Sequence, residues 1–216
     1  MGIRKFFIAA AVVAVTAACS SREPVRVACV GDSITYGHGI ADREHDTYPA
    51  LLDSLLGDGY DVRNFGISGR ILLSNGDEPY TKEQIYRDAL DFMPEIVTIA
   101  LGTNDSKPQN WIYENEFKSD LKRLVASFRE LPSNPEVWLC LPTPAWSNAW
   151  DINDSIICNG VIPYIREVAE EEGLGVIDLR TALIGCRNYF PDTIHPNEEG
   201  HKAIADIIYN ALNKKN

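Results

Sequence analysis

Ser33 follows Gly31 and Asp32 at the end of an apolar run, and Asp192 precedes His195 by three residues near the far end of the chain. A serine hydroxyl is a weak nucleophile until a base removes its proton, and Ser33 has no base nearby in sequence. The fold must therefore bring one. His195 is the candidate, because it stands just before the last apolar-periodic segment, where an imidazole can overhang a sheet edge. Asp192, on the same loop, can accept the Nδ1 proton and turn Nε2 toward Ser33. A plainer role for Asp192 and Asn197 is that of turn and capping residues, with His195 a surface histidine. A different chemistry is open to Asp32 and Asp105, since one or two carboxylates with substrate phosphates suffice to hold Mg²⁺. That assignment leaves Ser33, His195 and Asp192 without a task.

Such residues need a scaffold that collects them. Short β-branched runs at Val25 to Val30, Asp61 to Phe65, Ile96 to Leu101, Glu136 to Leu141 and Gly175 to Ile177 alternate with longer segments of helical period. The runs are mostly continuous rather than alternating in apolar character, as in parallel strands buried on both faces. Phe117, Leu121, Leu124, Val125, Phe128 and Leu131 share one helical face, as do Ile157, Val161, Ile165 and Val168. The last segment repeats the pattern through Ala203, Ile204, Ile207, Ile208, Ala211 and Leu212. The expectation is one α/β domain over 25–216, a three-layer α/β/α sandwich around a five-stranded parallel sheet. In such sheets ligands bind beyond the carboxyl ends of the strands. Those ends carry Gly31-Asp32-Ser33-Ile34, then Asn64-Phe65-Gly66-Ile67-Ser68-Gly69, then Gly102-Thr103-Asn104-Asp105, with Asp192-Thr193-Ile194-His195-Pro196 before the final helix.

These four blocks, in this order, resemble the SGNH/GDSL hydrolases. The resemblance implies a flavodoxin-like fold, a serine nucleophile at Ser33 and an oxyanion hole made by the N–H groups of Ser33 and Gly69 and the side chain of Asn104. It implies no metal or organic cofactor. Gly66 lies close enough to Gly69 to be its rival for that place, and Asn104 is equally suited to an Asx-turn. No GxSxG elbow surrounds Ser33, which argues against the larger α/β-hydrolase fold.

The substrate leaves fainter marks. Tyr36 and Arg70 neighbour the first two blocks, and Trp111, Trp146 and Trp150 lie in the loops after the third and fourth strands. Aromatic rings there suit a sugar platform, an acyl chain or plain core packing, and Arg70 suits an anionic group or solvent. The stretch from Leu101 to Trp111 is similar to exported carbohydrate O-acetylesterases of the family. The expected activity is removal of small acyl groups, foremost O-acetyl, from carbohydrate. A lysophospholipase or acyl-thioesterase is the alternative within the family, and a non-catalytic carbohydrate-binding lipoprotein the alternative outside it.

The chain of 216 residues carries 20 Lys and Arg against 31 Asp and Glu, a net charge of -11. It has no cation excess with which to displace counterions from a phosphate backbone, so nucleic acid is excluded as an expected partner. Residues 1–18 read as an export signal: Arg4 and Lys5 precede the apolar run Phe6 to Ala14, too short to stay across a bilayer. Val15-Thr16-Ala17-Ala18-Cys19 resembles a bacterial lipobox, which implies lipid attachment at Cys19, a tether over 19–24 and an anchored protein facing the periplasm or cell surface. Secretion without an anchor is the alternative. Cys29 and Cys140 sit in apolar runs as buried hydrophobes; export permits disulfides without requiring them, and only Cys158 and Cys186 are left that could pair.

Overall fold

A computed structural model describes residue 2 and residues 23–214. The expected export signal, apart from residue 2, and Cys19 lie outside the described residues. In chain order the elements are β1 (Val25–Gly31), α1 (Ser33–Tyr36), α2 (Arg43–Asp46), α3 (Tyr48–Leu56), β2 (Tyr60–Gly66), α4 (Gln84–Asp91) and β3 (Ile96–Ala100). There follow α5 (Pro108–Trp111), α6 (Phe117–Arg129), β4 (Glu136–Leu141), α7 (Asp154–Ile156), α8 (Ile162–Glu172), β5 (Gly175–Asp178), α9 (Leu179–Leu183) and α10 (Glu198–Asn213). The strands form one parallel sheet in the order β2-β1-β3-β4-β5. The five expected runs are these strands, each within a residue of its expected ends.

Strand period divides the apolar residues between two cores. From β1 and β4, Ala28, Val30, Val137, Leu139 and Leu141 face the helices α4, α6 and α8, where Phe117, Leu124 and Phe128 are buried. Cys29, Trp138 and Cys140 point the other way, against Leu52 of α3 and Ile204 and Ile208 of α10. Both faces are thus covered, which is why β1, β3 and β4 lack the polar alternation that the edge strand β2 shows at Asp61 and Arg63. The chain leaves β1 toward β2 on one side and returns past β1 to β3 on the other. The crevice this reversal opens lies outside the ends of β1 and β3, the usual ligand position of this topology.

Two local features escape the periodicity. Residues Ile157–Val161 form a π turn between α7 and α8. Pro163, just inside α8, offers no N–H to the preceding turn, and such a gap is one place where a wider turn is accommodated. Cys158 lies on this turn and Cys186 packs beside the α10 core; both are free thiols, so the one pairing the sequence left open is not formed. Among the described residues no helix is long and apolar enough to cross a membrane.

Candidate active site

Ser33 opens α1 directly beyond β1. Asp32 caps that helix, its Oδ1 accepting the N–H of Ile34 at 3.0 Å. A residue at the first helical position has no intrahelical carbonyl for its own N–H, which leaves the Ser33 N–H free of helix duty. Ser33 Oγ lies 2.9 Å from His195 Nε2, and His195 Nδ1 lies 2.6 Å from Asp192 Oδ2. Asp192 Oδ1 in turn accepts the backbone N–H groups of Ile194 (2.9 Å) and His195 (2.7 Å). Three residues from opposite ends of the chain therefore stand in one hydrogen-bonded series.

Electrostatics assign the protons in that series. Burial alone would raise the Asp192 carboxyl, but the N–H groups of His195 and Ile194 together with the imidazole hold it below its ordinary value. Asp192 is then an acceptor only, so Nδ1 of His195 must donate and Nε2 must accept from Ser33. His195 itself is held below its ordinary value, chiefly by burial; its bond to Asp192 opposes this, and the His38 ring, with its centroid 4.3 Å away, adds to it. A lowered pKa keeps the imidazole neutral to more acid pH. The acid limb of kcat/KM should therefore rise through an apparent pKa below 6.5, and His38→Ala should move it upward by removing a lowering neighbour. A pH–rate profile with its acid midpoint above 6.5 in the unaltered protein would contradict this.

Gly69 and Asn104 line the same cavity as Ser33 and His195, a hollow of about 220 Å³. The two rival glycines divide cleanly. A Cβ on Gly66 would collide with the backbone of Thr35 and Tyr36, so its role is the close packing of β2 against α1. Gly69 has φ +83 and would find nothing within 4 Å of an added Cβ, so it needs glycine for its left-handed backbone and borders open space at the cleft. Asn104 donates one amide proton to the carbonyl of Arg70 at 3.2 Å, leaving the second N–H of the same amide on the cavity wall.

Asp105 is fully buried, and its carboxylate accepts the N–H of Leu72 at 3.0 Å and that of Leu73 at 2.9 Å. Burial pushes it to about 7 against the pull of those donors. Asn110 adds a second clasp, donating to the carbonyl of Asn104 at 3.2 Å and to Asp77 at 2.9 Å. The loop that carries Gly69 is thus latched to the loop that carries Asn104. This corrects the Mg²⁺ reading, because Asp105 and one oxygen of Asp32 are engaged by backbone N–H groups. The sequence hinted at the latch only by placing an acid directly after Asn104. Among the described residues, His38, Asp192 and His195 also bring ligand atoms within 4.8 Å of one another, but two of these three already bond each other.

Four expected substrate contacts lie away from the cavity. Trp111 lies over Gly160 of the π turn, 5.8 Å from Phe117 and 6.1 Å from Tyr164, as part of the core. Trp146 packs on Phe190 at 4.7 Å. Tyr36 lines a separate hollow under the Arg43 guanidinium, 3.9 Å above its ring. The Arg70 fork is engaged by Glu78 at 2.7 Å and Glu83 at 2.9 Å, so an incoming anion would have to displace two carboxylates. Trp150 remains at the cavity, with Lys107, Ile152 and Ile194.

The chain is similar to known proteins in sequence and in fold. The chain is 43% identical over 208 residues to an acetylxylan esterase of Xylanibacter ruminicola, covering 88% of this chain but only 43% of that protein's length. In fold it is similar to a carbohydrate acetylesterase, Est24, of Sinorhizobium meliloti, with TM-score 0.71, 19% identity, and 89% and 100% of the two chains covered. The acetyl xylan esterase AlAXEase gives TM-score 0.66 at 19% identity, covering 87% and 100%. The profile of the GDSL-like lipase/acylhydrolase family matches residues 29–203, which span all four blocks. With its five-stranded sheet and those blocks gathered at one crevice, the chain belongs to the GDSL-like lipase/acylhydrolase family.

Proposed function

We propose that this protein is a serine esterase that removes small acyl groups, foremost O-acetyl, from carbohydrate through an acyl-enzyme intermediate. The observation that carries the reading is the Ser33–His195–Asp192 series beside Gly69 and Asn104 in one small cavity. Ser33 Oγ attacks the ester carbonyl as its proton passes to His195 Nε2, and Asp192 steadies the imidazolium. The developing oxyanion accepts from the N–H groups of Ser33 and Gly69 and from Asn104 Nδ2. Collapse expels the sugar oxygen, which takes the proton from Nε2. Water then attacks the acyl-serine, giving its proton to His195, and the carboxylate leaves as Oγ recovers that proton.

A cavity of about 220 Å³ falls below the roughly 300–1,000 Å³ of drug-sized ligand sites. Ile152 and Ile194 supply an apolar wall for a methyl group but no extended channel. The acetylxylan esterase relative supports acetyl as the acyl group and carbohydrate as the alcohol. Across esters from acetate to octanoate, kcat/KM should fall beyond propionyl, with each methylene discriminated by about 1–3 kcal/mol, and acetate should be released from acetylated saccharides. A preference for octanoyl esters with no such release would select the lysophospholipase or thioesterase alternative.

A further inference from the structure

Trp150 is 60% exposed, whereas Trp111 and Trp146 pack against other rings and Trp138 is buried. It stands on the wall of the cavity, nearly perpendicular to the rings of His195 and His38, with centroids 6.1 Å from each. Its backbone is left-handed at φ +60, and so is that of Asp151 at φ +62. Two successive non-glycine residues in that region persist only where their surroundings over-determine the conformation. The surroundings here do so. Ile152 is buried, the Asn153 N–H donates to Ser106 Oγ at 3.0 Å, and the Trp146 N–H donates to the carbonyl of Thr193 at 3.1 Å. Ser147 adds a hydroxyl contact to Thr193.

Resting on the carbohydrate reading above, we infer that Trp150 is the platform on which the pyranose ring bearing the scissile ester stacks, and that its loop sets which acetyl group reaches Ser33. The apolar C–H face of a pyranose is the complement of an exposed indole, and the ring hydroxyls stay at the polar rim. Thr193 lies between Asp192 and His195, so the bonds from Trp146 and Ser147 tie the platform to the loop that carries the base. Platform and base keep one separation. A ring stacked on Trp150 therefore offers one position, rather than any position, to the nucleophile.

The test compares unaltered protein with Trp150→Ala, Trp150→Phe and Ser147→Ala on methyl xylopyranoside triacetate and on ethyl acetate, whose leaving group has no ring to stack. Trp150→Ala should lose about tenfold more in kcat/KM on the triacetate than on ethyl acetate, the difference being carried by KM. Trp150→Phe should recover most of the loss. Ser147→Ala should keep ethyl acetate turnover but flatten the order in which the three acetates leave, followed by NMR. Equal losses on both esters, or no loss on the triacetate, would overturn the platform. Failure of the unaltered protein to deacetylate the saccharide while it hydrolyses ethyl acetate would instead sink the carbohydrate reading, and the platform with it.

Discussion

Replacing Ser33 or His195 by alanine is expected to lower kcat by roughly 10⁶-fold, and the double replacement to be scarcely worse than either. The reason lies in the 2.9 Å bond between Oγ and Nε2. The hydroxyl is reactive only while the imidazole takes its proton, and the imidazole has no task once the hydroxyl is gone. Asp192→Asn should cost less, roughly 10⁴-fold. An amide can still meet the N–H groups of Ile194 and His195 through its carbonyl, but its NH₂ would face Nδ1 and favour the wrong tautomer. Single-turnover rates on an acetyl ester check this, and losses that multiply for Ser33 and His195 would show that the two do not act as a unit.

The second large effect is expected on stability. Asp105→Ala would leave the N–H groups of Leu72 and Leu73 buried without acceptors, at roughly 1–3 kcal/mol each. The sum, about 4 kcal/mol, corresponds to a fall in Tm of roughly 10 °C for a chain of this size. Activity should fall further than stability explains, because the loop holding Gly69 would lose its clasp to Asn104. The discriminating measurement is kcat at a temperature where the variant is still folded. A variant with unchanged Tm would show that water or a shifted loop serves those donors as well as the carboxylate does.

Much of this molecule is legible in its sequence, for one physical reason. Strands covered on both faces carry apolar residues on both, so β1, β3 and β4 show as nearly continuous runs interrupted only by Arg26, Thr98 and Glu136, and chemistry on such a sheet is best sought where the runs stop. The site blocks are found by reading the residues just past each run. The tryptophans are different, since residue type does not distinguish a packed ring from an exposed one. Trp111 is internal because Gly160, nearly fifty residues later, leaves room for its ring. Arg70 is unavailable because Glu78 and Glu83 come back to it across a loop with no periodic signature. Asp105 reads in the sequence only as one of two carboxylates that could hold a cation, and its role as a latch needs the positions of Leu72 and Leu73.

Thr193 sits at φ +80, a backbone region that a β-branched residue tolerates poorly. Glycine there would remove that strain while freeing the Asp192–His195 loop and dropping the side-chain contact with Ser147. Stability and turnover would then move in opposite directions at a single position. A laboratory selection for heat resistance alone would accept such a change early, and a selection for ester turnover would reject it. The molecule keeps a poorly tolerated backbone angle, worth about 1–3 kcal/mol of local strain, beside its histidine.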